Sequence, residues 1–168
     1  TFVGYDSGSA NTTGTGNVFV GASAGAAHTT GAQNTFIGYQ AGSSNTVGSA
    51  NVMIGRYAGR SNVSGAYNVF MGDFAGYSNT ADGNTFIGYG SGSANTTGSQ
   101  NTFIGYLAGF SNSTGLNNTF IGHSAGRNNT VSGNTFIGTW AGSGNTTGSQ
   151  NVFVGYNTGL ANSIGYAN

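Results

Sequence analysis

The stretch Asn101-Thr102-Phe103-Ile104-Gly105-Tyr106-Leu107-Ala108-Gly109 decides the architecture, because the chain repeats its pattern from end to end. Residues 34–42 read Asn-Thr-Phe-Ile-Gly-Tyr-Gln-Ala-Gly, and the opening Asn returns at Asn17, Asn34, Asn51, Asn68, Asn84, Asn101, Asn118, Asn134, Asn151 and Asn168. The steps are 16 or 17 residues, and residues 1–16 form one further unit that lacks its Asn. A unit this short cannot enclose a core alone, so each must be one coil of a stack, covered by the coils on either side. We expect one continuous array over residues 1–168, with units beginning at 17, 34, 51, 68, 84, 101, 118, 134 and 151. The array is expected to be a slice of a longer fibre.

Composition narrows the function classes. The chain has 33 Gly, no Pro and no Cys, and its 4% of charged residues are Asp6, Asp73, Asp82, Arg56, Arg60 and Arg127. A net charge of zero gives no electrostatic basis for binding nucleic acid or an anionic membrane surface. Without Cys, disulfides and thiolate metal sites are excluded. No apolar run reaches the roughly 18 residues of a membrane helix, so no membrane insertion is expected in this segment. Gly/Asn/Ser/Thr richness alone would suggest a disordered linker. Phe, Ile and Val recur in phase, however, and disorder needs no phase. Collagen fails because Gly does not occupy every third position.

Within a unit numbered from its Asn, position 2 is Thr or Val, position 3 is Phe (Met53 once) and position 4 is Ile, Val or Met. Positions 5 and 9 are always Gly, and a third Gly follows positions 13–14. Position 12 is Asn, with His28 the exception. The pattern predicts an all-β parallel solenoid, or β-roll, of about ten coils. Each coil has two short strands, at positions 2–4 and about 12–14, and turns at glycines with positive φ. Helix is excluded because Gly costs on the order of 1 kcal/mol per residue there. At about 4.8 Å per coil the rod is roughly 50 Å long. The Asn columns at positions 1 and 12 are expected to form amide ladders rather than a ligand site. The 16-residue units, residues 68–83 and 118–133, each lose one residue near the third Gly, marking that corner as a surface loop.

Strand alternation sends Phe to one face and positions 2 and 4 to the other. One face fills the coil. The other then exposes a stripe that includes Ile37, Ile54, Met71, Ile87, Ile104, Ile121 and Ile137, longer than a soluble monomer usually shows. Association of identical chains about the rod axis would cover it.

The phrase Asn-Thr-Phe-Ile-Gly-x-x-Ala-Gly of residues 34–42 and 101–109 resembles the head repeats of YadA-like trimeric autotransporter adhesins, and related repeats of bacterial surface and phage tail-fibre-like proteins. The resemblance covers the whole chain. It implies a homotrimer of left-handed parallel β-rolls, part of a stiff extracellular, cell-surface fibre that adheres to surfaces. Two features depart from that family: the period of 16–17 against about 14, and Phe where a small residue is usual.

No catalytic constellation emerges, and no metal or cofactor is expected. Arg56 and Asp73 share position 6 of adjacent units and should form an exposed ion pair of little worth. Sequons such as Asn11-Thr12-Thr13, Asn95-Thr96-Thr97 and Asn145-Thr146-Thr147 follow from the repeat itself. Function is therefore sought at the variable positions. A surface-contact stripe is expected from Tyr5, Tyr39, Tyr89, Tyr106 and Tyr156 at position 6 with Tyr57, Phe74 and Trp140 at position 7. The readings are a structural and adhesive rod touching host or abiotic surfaces or glycans, an ice-binding solenoid presenting Thr columns, and a tail-fibre segment recognising host glycans. An enzyme is not expected.

Overall fold

The computed structural model describes residues 1–167, so the repeat Asn at Asn168 lies outside the described residues. Ten strands form one parallel sheet in chain order: β1 Phe2–Val3, β2 Val18–Val20, β3 Thr35–Ile37, β4 Val52–Ile54, β5 Val69–Met71, β6 Thr85–Ile87, β7 Thr102–Ile104, β8 Thr119–Ile121, β9 Thr135–Ile137 and β10 Val152–Val154. Register keeps like with like, so Phe86 pairs with Phe103 and Ile87 with Ile104. The 16-residue coils do not disturb it: Phe70 still faces Phe86 and Phe120 still faces Phe136. The all-β parallel solenoid is as the periodicity requires.

The core is a single column. Phe19, Phe36, Phe70, Phe86, Phe103, Phe120 and Phe136 are wholly buried, and Met53 fills the one gap among them. Neighbouring Phe rings stack 4.8–5.1 Å apart with interplanar angles of 4–12°. Each such ring contributes about 1.5–3 kcal/mol by burial. The small residue at position 8 (Ala24, Ala41, Ala58, Ala75, Ala108, Ala125, Ala141) closes the far wall. Where Ser91 replaces Ala there, its hydroxyl donates to the Phe103 carbonyl of the next coil at 2.9 Å.

Both Asn columns are buried and laddered, as expected. At position 1, Asn118 Oδ1 accepts the Asn134 backbone N–H at 2.8 Å, and Asn118 Nδ2 donates to the Val131 carbonyl at 2.8 Å. One side chain thus joins two coils and also ties both ends of its own. At position 12, Asn95 Nδ2 donates to Asn79 Oδ1, and Asn145 Nδ2 to Asn129 Oδ1 at 2.8 Å. His28 takes an Asn place in this column. Its Nε2 lies 2.8 Å from the Gly31 carbonyl oxygen and its Nδ1 2.9 Å from the Asn45 side-chain oxygen. It is wedged edge-on against Phe19 and Phe36. The sequons centred on Asn95 and Asn145 are consequently sealed, since both side chains are fully buried in the ladder.

Three expectations fail. Among the described residues the second strand is absent: each coil carries one strand, and positions 12–14 are bends or irregular chain. The Asn at position 12 curls onto its own coil, as when Asn62 Oδ1 accepts the Gly65 N–H at 2.7 Å. That local bond closes a turn where a strand would need extended backbone. Second, the glycine after positions 13–14 does not have positive φ. It is Gly for want of room: a Cβ on Gly48 would stand 2.4 Å from both the Gly65 carbonyl oxygen and Asn45 Nδ2. Third, that glycine is not kept in every coil. Ala81 and Val131 occupy its place in the two short coils, where position 14 is the residue deleted, and Gly83 and Gly133 fall at position 17.

The glycines at positions 5 and 9 do turn through positive φ as expected, for example Gly105 at 139° and Gly109 at 57°, but positive φ is shared with residues that have side chains. Position 7 lies near φ 53–61° in every coil, including Gln40, Tyr57, Phe74, Leu107 and Trp140, and position 17 does so at Gln33, Tyr67, Gln100 and Gln150. Such backbone costs about 1–2 kcal/mol per residue. Hydrogen bonds between coils hold it in place, for example Leu107 N–H to the Tyr89 carbonyl at 2.9 Å.

Candidate functional site

The left-handed kink at position 7 has a consequence for the surface. Large side chains at position 7 lie beside those at position 6, so the two positions form one band along the rod, whereas the small Ser124 at position 7 is buried. The expected stripe is brought together over most of its length. Tyr39 meets Tyr57 edge-on at 5.4 Å, Tyr57 meets Phe74 at 5.1 Å, and Phe74 meets Tyr89 at 6.3 Å. Tyr89 then stacks on Tyr106 at 5.3 Å, Tyr106 on His123 at 5.1 Å, and His123 meets Trp140 at 5.4 Å. Tyr5 and Tyr156 stand apart and are 85% and 74% exposed, because Ala22 and Thr139 hold position 6 of the coils beside them.

Contact with one another limits what these rings can offer. Tyr89, Tyr106 and His123 lie nearly parallel, at 13° and 11°, so neighbours cover the π-faces along the rod axis. Edges and hydroxyls face outward, with Tyr39, Tyr89 and Tyr106 each close to half exposed. That surface suits broad contact with another protein or a solid more than insertion of a flat ligand.

Residues missed in the sequence reading complete the band at one place. Arg60 lies over Tyr57 and Tyr77 at 5.6 and 5.7 Å, and donates to Gln40 Oε1 at 3.0 Å and to the Tyr77 hydroxyl. Arg56 lies 5.3 Å from the Phe74 ring centre. It also makes the expected pair with Asp73, through Nε to Oδ1 at 3.1 Å and Nη2 to Oδ2 at 3.0 Å. The hydrogen bonds that Arg56 donates to Asp73, and then the Asp73 charge, hold the Arg56 pKa above its ordinary value. The available signal was positional: Tyr77 and Arg60 share position 10 of adjacent coils, so they had to be neighbours.

The second surface is the outer face of the sheet. Positions 2 and 4 point out along the whole rod, and Ile37, Met71, Ile121 and Ile137 are 36–39% exposed. Thr85, Thr102, Thr119 and Thr135 align beside them in register. The apolar stripe anticipated from alternation therefore exists on the chain.

Among the described residues no group of His, Cys, Asp or Glu is placed to hold a metal ion, and no helix is long and apolar enough to cross a membrane. The chain matches no protein-family model, no curated protein and no solved structure.

Proposed function

We propose that this chain is a structural and adhesive segment of an extracellular surface fibre, in which identical rods associate through the outer face of the sheet. The observation that carries the reading is the continuous column of partly exposed Ile, Val and Met at position 4, which runs the length of the sheet. Nine steps of about 4.8 Å make that column roughly 43 Å long, a large apolar stripe to leave in water. A second and third copy would cover it, leaving the aromatic band at positions 6 and 7 as the face that touches other surfaces. The likeness of Asn-Thr-Phe-Ile-Gly-x-x-Ala-Gly to YadA-like head repeats favours three copies.

Ice binding through Thr columns fits less well. Position-13 hydroxyls are spent on the next coil, as Thr12 Oγ1 donates to the Thr29 carbonyl at 3.1 Å and Thr96 Oγ1 to Ser113 at 2.9 Å. Light scattering or native mass spectrometry of the purified chain tests the assembly. A mass of three chains is expected, and a monomer at micromolar concentration overturns the proposal. Thermal hysteresis in the same sample would favour the ice-binding reading instead.

A further inference from the structure

The corner that follows position 13 carries a feature that neither the ladders nor the aromatic band uses. Residues 68–83 form a short coil that lacks position 14 and lies between two full-length neighbours, with the Ala81 carbonyl bound by Asn68 Nδ2. A cleft of about 590 Å³ lies there, lined by Ser64 and Tyr67 of the coil before, Thr80, Ala81, Asp82 and Gly83 of the short coil, and Ser99 and Gln100 of the coil after. The volume lies within the range of small-ligand sites.

Its lining differs from the rest of the surface. Tyr67 is 73% exposed, and among the described residues no other aromatic ring lies against it. Every ring from Tyr39 to Trp140 in the band has a partner. Asp82 Oδ1 accepts the Ala66 N–H at 2.8 Å, which fixes the carboxylate at the rim and leaves Oδ2 free to accept. The Gln100 amide and the hydroxyls of Ser64 and Ser99 supply both donors and acceptors around it, whereas the Thr80 hydroxyl donates to the Thr96 carbonyl at 3.0 Å and offers only an acceptor. Opposite Gln100 the wall is Gly83, where a Cβ would meet nothing nearer than 3.8 Å. No cation lines the cleft.

We propose that this cleft is a binding site for a neutral carbohydrate, of the size of one or two sugar units. A sugar presents an apolar C–H face and a rim of hydroxyls. An exposed Tyr ring matches the first, and a carboxylate with a side-chain amide matches the second, each able to hold two neighbouring hydroxyls. The absence of Arg or Lys, together with the charge of Asp82, selects against sialylated and sulfated glycans.

The second short coil supplies an internal control. In residues 118–133 the same deletion is present, and Ser132 Oγ accepts the Leu116 N–H at 2.9 Å in the role of Asp82. Asn117 stands there in the place of Tyr67, with φ 57° against 59°. The backbone is shared, whereas the ring and the carboxylate are not.

The test is a glycan array with the tagged chain, followed by saturation-transfer NMR with the best neutral hits. One site per chain is expected. Tyr67→Ala should weaken binding at least tenfold and Asp82→Asn severalfold, while Val47→Ala, exposed and outside both the cleft and the aromatic band, leaves it unchanged. Asn117→Tyr combined with Ser132→Asp should raise the stoichiometry to two. The proposal is overturned if no neutral glycan binds, if only acidic ones do, or if Tyr67→Ala binds as well as the parent with an unchanged circular dichroism spectrum. The site does not depend on the proposed assembly: a monomer that binds sugar through Tyr67 would sink the assembly and leave the site standing.

Discussion

Phe120 and Ile121 are adjacent residues of one three-residue strand, and the fold treats them as opposites. Phe120 is wholly buried between Phe103 and Phe136, with ring centres at 4.8 and 4.9 Å. Ile121 points out of the sheet and is 36% exposed. Both belong to columns that run the length of the rod, yet one column completes the coil and the other is left for something else to cover. Invariance in this sequence thus has two sources. Positions 1, 3, 5, 9 and 12 are held by the neighbouring coil, whereas position 4 stays apolar although, beyond its in-register neighbours, its outer side is left uncovered by the chain.

The sharpest test of that contrast removes each side chain in turn. Phe120→Ala opens a cavity in the only core the rod has and should cost about 3–5 kcal/mol. In a stack of coils the damage is local first, so hydrogen exchange should show coils 103–136 opening before the ends. If Phe120→Ala melts with the parent, the ring column is not the core.

Asn118→Ala should come next. It strips the partner from the buried Asn134 N–H and removes one of the two donors to the Val131 carbonyl, which keeps Asn129 Nδ2 at 2.7 Å; the orphaned N–H costs about 1–3 kcal/mol. Asn118→Asp tests the same point without a cavity. It keeps the acceptor for Asn134 but cannot donate to Val131 at neutral pH, so it should be destabilised too, and partly rescued by acid. Insensitivity to both changes in thermal melts would mean the amide ladder is ornamental.

Ile121→Asp probes the outer column. Stability of the single rod should change by less than about 1 kcal/mol, as for other exposed positions, but the associated state should dissociate in light scattering. A large loss of stability with no change in mass would reverse the roles assigned to the two columns.

The smallest effect concerns strain. Gln33 sits at φ 61° at position 17, a place taken by Gly16, Gly83 and Gly133 in other coils. Gln33→Gly relieves that backbone and should leave stability within about 1 kcal/mol of the parent, most simply on the stabilising side. A loss beyond that would show that the Gln side chain has a partner role of its own.

Much of the candidate surface was legible because a stack turns sequence phase into contact. Residues at the same position of adjacent coils must be neighbours, which gave the Arg56–Asp73 pair and most of the aromatic band from Tyr39 to Trp140. The same rule would have found Arg60 beside Tyr77, had position 10 been treated as surface. It could not find the cleft. Tyr67, Asp82 and Gln100 belong to three coils and only two share a position, so their grouping follows from how the shortened corner lies between its neighbours.

The sequence by itself determined the period, the parallel register, and which side of strands β1 to β10 faces in. Those follow from nearest-neighbour coils and from the two-residue alternation of extended chain, both of which can be counted along the chain. Only the tertiary structure decided how the path closes around each coil. Asn62 folds onto Gly65 and abolishes the second strand, Gly48 is needed for space and not for its φ, and Tyr57 or Trp140 takes a further left-handed turn between the two that glycine takes as expected. These choices depend on how closely one coil's backbone approaches the next, a distance that composition and periodicity do not encode.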